Sequence, residues 1–124
     1  MGDPAQDASL KKFNAPQDKA ALYVYRNETF GAAVKMGVVL DGKMIGDTAA
    51  HTYLYKEVDP GHHTVVSKSE EDSEVNFDAV AGHVYYVWQE IKMGLWQPNS
   101  KLHLVEAKEG QAGVTESKLV VGAH

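Results

Sequence analysis

The stretch Val38 to Gly46, VVLDGKMIG, followed after a short polar spacer by Thr52 to Ser67, TYLYKEVDPGHHTVVS, decides how this chain is read. Asp41-Gly42 separates two apolar runs and supplies the two central residues of a type I′ turn, where both φ angles are positive and Asp and Gly are tolerated best. Asp59-Pro60-Gly61 is a second turn, led by proline. The stretch therefore predicts two β-hairpins, and no catalytic constellation lies within it.

Working outward, the same period of two recurs. Ala21 to Arg26 places Leu22 and Val24 on one face and Tyr23 and Tyr25 on the other. Val34, Met36, Val38 and Leu40 continue the alternation, with Lys43 to Asp47 as hairpin partner and Tyr53 to Val58 as the next strand. His62 to Lys68 follows the proline turn. Glu74 to Val80 has Val75, Phe77 and Ala79 inward and charged or amide side chains outward. After Ala81-Gly82, Val84 to Ile91 is apolar on both faces and so belongs centrally in a sheet. Lys101 to Glu106 is a last strand with Leu102 and Leu104 inward. The tail, Ala107 to Val120, changes to helix formers, and a short helix docked by Val114 and Leu119 is expected, with Gly110 and Gly113 each weakening it by about 1 kcal/mol. The fold class that follows is all-β: an antiparallel sandwich or partly open barrel of about seven to eight strands with a short C-terminal helix.

The 124 residues suffice for one cored domain, expected over residues 20–124, with residues 1–19 a flexible lead-in rich in Asp and Pro. The chain holds no cysteine, so a disulfide framework and a thiolate metal site are both excluded. Its net charge is −5, and the twelve Lys and Arg are scattered apart from Lys11-Lys12, which argues against a nucleic-acid surface. No apolar run approaches the roughly 20 residues that span a bilayer. The opening Met-Gly-Asp-Pro-Ala-Gln-Asp is polar from the outset and reads as a trimmed mature terminus rather than a native start.

Adjacent strand residues point to opposite faces, so His62 and His63 cannot readily chelate one ion, and His63 shares the parity of Val65 as a half-buried ring. His51, His83 and His103 show no metal-ligand spacing, so no metal and no cofactor are expected. Glu70-Glu71-Asp72-Ser73-Glu74 lacks a calcium-loop ladder and reads as a solvated hairpin tip. No Gly-x-Ser-x-Gly elbow or phosphate cradle occurs, and no spacing brings Glu57, Glu90 and Glu106 together. Aromatics give the clearest binding signal. Strand tyrosines 23, 25, 53, 55, 85 and 86 and Trp88 read as ordinary sheet residues, whereas Phe30, Met93, Leu95 and Trp96 fall in loops as apolar groups beside glycine, and these four are the candidate contact residues.

The strings DGKMIG, PGHHTV and AGHVYYV resemble the repeated hairpins of the PEGA-type β-domain of bacterial surface and envelope proteins. The wider order, ALYVYR, DGK, PGHHT, AGHVYYV, KMGL and EGQAGVTESKL, is similar to a family of small bacterial lipoproteins described only as a domain of unknown function, over about residues 20 to 120. That family often carries a cysteine where this chain has Ser117. The resemblance implies a β-sandwich, a periplasmic or outer-membrane-anchored location and an N-terminal lipid anchor outside this sequence. It implies no catalytic residue.

The expected function is thus a non-enzymatic cell-envelope domain for protein contacts or structure. The alternative is a small glycan or peptidoglycan binding module that stacks sugars on surface aromatics, and a third is a hydrolase whose site is assembled only by the fold. The expected partner is an envelope protein or glycan, with no nucleic acid, and with membrane contact only through the lipid.

Overall fold

The computed structural model describes residues 3–28, 34–69, 72–93 and 98–120, apart from the side chains of Met93 and Pro98. Among them, strands β1 (Ala20–Arg26), β4 (Thr52–Val58), β7 (Val84–Met93), β8 (Pro98–Val105) and β9 (Lys118–Leu119) form one sheet in the order β8-β7-β1-β4-β9. Strands β2 (Met36–Leu40), β3 (Lys43–Thr48), β5 (Gly61–Lys68) and β6 (Ser73–Ala79) form a second, in the order β3-β2-β5-β6. Two helices, α1 (Pro4–Leu10) and α2 (Ala107–Thr115), complete the chain. The result is a mostly β, sandwich-like fold with a short C-terminal helix.

The five-stranded sheet is mixed: β1 runs antiparallel to β4 but parallel to β7, with Tyr23 opposite Tyr86. Every residue of β1 is buried, as expected of a strand covered on both faces. Its even-numbered side chains face the second sheet. There Leu22, Val24, Leu54, Val87 and Leu102 pack against Val38, Leu40, Ile45, Val65 and Phe77 as the inter-sheet core. Its odd-numbered side chains face the other way, into a second cluster of Tyr23, Tyr25, Tyr53, Tyr86, Val114 and Leu119 that α2 and the N-terminal segment cover. The molecule therefore has three layers, and each fully buried large side chain contributes about 1.5–3 kcal/mol.

Asp41 and Gly42 adopt φ of 51° and 83°, as a type I′ turn requires, with Leu40 opposite Lys43. The second turn lies where the sequence puts it, with Gly61 at φ 128°, but it does not close a hairpin. Asp59-Pro60-Gly61 carries the chain from β4 in one sheet to β5 in the other, because β5 finds its partners in β2 and β6. Ala81-Gly82 makes a similar crossing from β6 to β7.

Three further differences from the sequence reading have physical causes. The segment before Ala20, read as a flexible lead-in, holds a helix capped by the Asp3 carboxylate and docked on the tyrosine layer. The expected helix to Val120 ends at Thr115, because the Lys118 and Val120 N–H groups bond to the His51 and Tyr53 carbonyls and make Lys118–Leu119 a parallel neighbour of β4. Leu104 is 47% exposed although Leu102 is buried. β8 is an edge strand, covered where β6 reaches across, as the Ser73 hydroxyl does in accepting from the Leu102 N–H.

Candidate functional site

The strand directions put the Glu28, Val34, Thr48, Ser69, Asp72, Met93 and Pro98 ends of the elements at one end of the sandwich, with the Asp41-Gly42 and Asp59-Pro60-Gly61 turns at the other. The inner layer at that first end is polar. Arg26 continues the inward parity of Leu22 and Val24 and is wholly buried. Its Nη1 donates to the carbonyls of Val34 (2.7 Å) and Thr48 (3.1 Å), while Nε and Nη2 donate to Glu28 Oε1 at 3.1 and 3.0 Å. One guanidinium thus holds both flanks, Glu28 and Val34, of the segment 29–33. A neutral chain adjoins it: the Thr48 hydroxyl donates to Gln89 Oε1, Gln89 Nε2 donates to Ser67 Oγ at 2.6 Å, and the Ser67 and Ser100 hydroxyls share a 2.5 Å bond. Buried polar groups are tolerable when satisfied in this way, and the network ties β1, β3, β5, β7 and β8 into one rigid rim. Glu28 Oε2 is buried without a hydrogen-bond partner among the described residues.

Of the four candidate contact residues, Phe30, Leu95 and Trp96 lie outside the described residues. Met93, read as a loop residue, instead closes β7, because the β7–β8 ladder continues past Ile91 as far as its pairing with Pro98. What sequence reasoning missed is the Arg26 rim. Its signal was parity, since Arg26, Ser67 and Gln89 each occupy an inward position of an otherwise apolar strand face.

The strand tyrosines are not a surface platform. Tyr23, Tyr25, Tyr53 and Tyr86 are buried, and the rings of Tyr23 and Tyr86 stack with centroids 5.5 Å apart. Phe13 packs against both rings, the Tyr23 hydroxyl donates to the Leu10 carbonyl at 2.6 Å, and the Tyr53 hydroxyl meets the Asp7 carboxylate at 2.5 Å. Burial raises the Tyr23 and Tyr53 hydroxyls well above the usual phenol range, and in Tyr53 the Asp7 carboxylate adds to it. At the far end of α2, Ser117 is buried and donates to the Gly113 carbonyl at 2.8 Å.

The histidines on β5 point to opposite sides. His62 meets Asp78 and Asn76 on β6, whereas His63 packs on Phe77 and bonds Asp41 Oδ2 at 2.5 Å and the Asp59 carbonyl at 2.6 Å. Burial pulls the His63 ring down, but the Asp41 carboxylate and the Asp59 carbonyl outweigh it and the net shift is upward. Asp41 is lowered: burial opposes its charge, and His63 together with the Thr64 N–H more than compensates. His63 thereby fastens the two turns at this end to each other. His103 bonds Glu90 and stacks on Trp88, and Glu57 accepts from Tyr55. Among the described residues, no group of three or more His, Asp or Glu is arranged to hold a metal ion, and no helix is long and apolar enough to cross a membrane.

A two-sheet sandwich with one polar end and a helix-covered outer face defines the class. Residues 16–102 match the family model described as a protein of unknown function, DUF2846, and the chain belongs to that family. It is 28% identical over 123 residues to an uncharacterized protein of Haemophilus influenzae, a match covering 98% of this chain and 73% of the relative. No solved structure matches.

Proposed function

We propose that this chain is a non-enzymatic domain of the bacterial cell envelope that makes protein contacts through its polar end, with Phe30, Met93, Leu95 and Trp96 as the contact residues. The observation that carries this reading is the Arg26 clamp. A wholly buried guanidinium bonded to Glu28, Val34 and Thr48 fixes the two described residues that flank positions 29–33. Loops held on a rigid scaffold are where binding residues concentrate, because the frame settles their base without constraining their side chains. A periplasmic or outer-membrane-anchored location, through a lipid in the full protein, is supported by the family resemblance.

The test is site-specific photo-crosslinking in bacteria that make the full protein. A photoreactive residue is placed in turn at positions 30 and 96 and, as the opposite-end control, at Lys43 beside the Asp41-Gly42 turn. Adducts in the envelope fraction from 30 and 96 but not from 43 support the reading. Adducts confined to 43, or a protein found wholly in the cytosolic fraction, overturn it.

A further inference from the structure

On the outer face of the five-stranded sheet, α2 and the neighbouring ends of β1 and β7 enclose a cleft of about 290 Å³, near the lower limit of small-ligand pockets. Its walls are Tyr25, Trp88, Asn27, Glu109, Ala112 and Gly113. Among the described residues, two aromatic side chains, one carboxylate, one amide and no basic group make a lining with a definite electrostatic preference. Glu116 adds a second carboxylate, since its Oε2 accepts from Asn27 Nδ2 at 3.4 Å. Burial first, then the Glu109 and Glu116 carboxylates, push the Tyr25 hydroxyl up to about 12, so both acids are felt at the ring. His103 stacks on one face of Trp88, with ring centroids 5.0 Å apart, and the Trp88 indole N–H is buried without a hydrogen-bond partner among the described residues.

We propose that this cleft binds a small organic cation, an alkylammonium or guanidinium group on an apolar stem. The stem lies against Trp88 and beside the rim of the buried Tyr25 ring, and Glu109 is the counter-charge at the mouth. An anion would meet the Glu109 carboxylate, with Glu116 close by, and no basic group among the described lining residues. A neutral apolar ligand would leave the Glu109 charge unused. The same chemistry could come from a free amine or from the lysine side chain of a peptide.

The experiment is an NMR titration of the full chain at ~0.15 M salt, which screens diffuse attraction to the acidic surface. The probes are cadaverine, N-acetyl-lysine methylamide and, as a neutral stem, 1-pentanol. A saturable shift of the Trp88 indole N–H with either cation, weakened about two- to fivefold in Glu109→Gln and missing with pentanol, is the result expected, an exposed ion pair being worth about that factor. Tighter binding of cadaverine marks a free amine as the source, and tighter binding of the lysine derivative marks a peptide. Glu109 is exposed on the first turn of α2, so an unchanged melting temperature verifies that its replacement leaves the fold intact. Equal shifts in Glu109→Gln, equal shifts with pentanol, or no saturable shift at Trp88 would overturn the proposal.

Discussion

Gly113 of α2 sits directly on the ring of Tyr25 in β1: a methyl group built at Gly113 would overlap the ring carbon Cε2. Gly110, one turn earlier, bears the same relation to Tyr86. These two glycines let the helix axis approach the sheet closely enough to seal the tyrosine layer. Replacing either by Ala gains about 1 kcal/mol of helix propensity but forces overpacking that typically costs about 1–3 kcal/mol. Gly113→Ala and Gly110→Ala are therefore expected to lower the melting temperature, whereas propensity alone predicts a rise. Thermal denaturation decides the sign.

The N-terminal segment is expected to stabilise the same layer from its other side. Phe13→Ala should cost about 1–3 kcal/mol, below the value for a fully buried ring because Phe13 is half-buried. Tyr53 has its pKa raised, so its contribution is complete below the unfolded value of 10.0 and is lost as pH climbs beyond it. In Asp7→Asn the Tyr53 hydroxyl should ionise closer to 10, read as phenolate absorbance appearing earlier in an alkaline titration. An unchanged titration would detach α1 from the tyrosine layer.

Arg26, wholly buried, pairs with the partly buried Glu28, and removing Glu28 leaves the guanidinium without its counter-charge. Arg26→Ala is expected to cost about 3–5 kcal/mol. The double variant Arg26→Ala, Glu28→Ala should cost clearly less than the sum of the single changes, since the pair is coupled. Additive losses in chemical denaturation would mean that the two side chains act independently.

His63 and Asp41 make stability pH-dependent. The raised His63 pKa gives a contribution fully present below its unfolded value near 6.5 and lost as pH rises through the higher folded value. The lowered Asp41 pKa gives one present above 3.8 and lost as pH falls through the lower folded value. The bond is strongest where both hold, between about pH 4 and 6.5. Melting temperatures of the wild type and His63→Gln should differ most in that window and converge toward pH 9. A constant difference across pH would rule out the ion pair as the cause.

What the sequence revealed was local. Asp41-Gly42 could be read because a type I′ turn is set by two residues, and alternation in Glu74 to Val80 could be read because each residue reports its own face. What it concealed was partner choice. Asp59-Pro60-Gly61 announces that the chain reverses but not that β5 will leave the sheet of β4. Gly110 and Gly113 look like defects in a helix until the tyrosine rings beneath them are known. The seven-residue α1 is too short to persist alone, so its Asp3 cap and Pro4 start gain meaning only with the Tyr53 to Asp7 contact. Arg26 was the one legible omission, a charge on inward parity that signalled a buried polar rim. The candidate contact residues came from composition alone, and the structure adds the Arg26 clamp on Glu28 and Val34, which flank positions 29–33.

The most direct test of the contact role is Trp96→Ala in the full protein, measured for melting temperature and for the crosslink formed from position 30. A melting temperature within about one degree of wild type, as for an exposed substitution, is expected together with loss of the position-30 crosslink. A fall of several degrees with the crosslink intact would make Trp96 a structural cap and contradict the account.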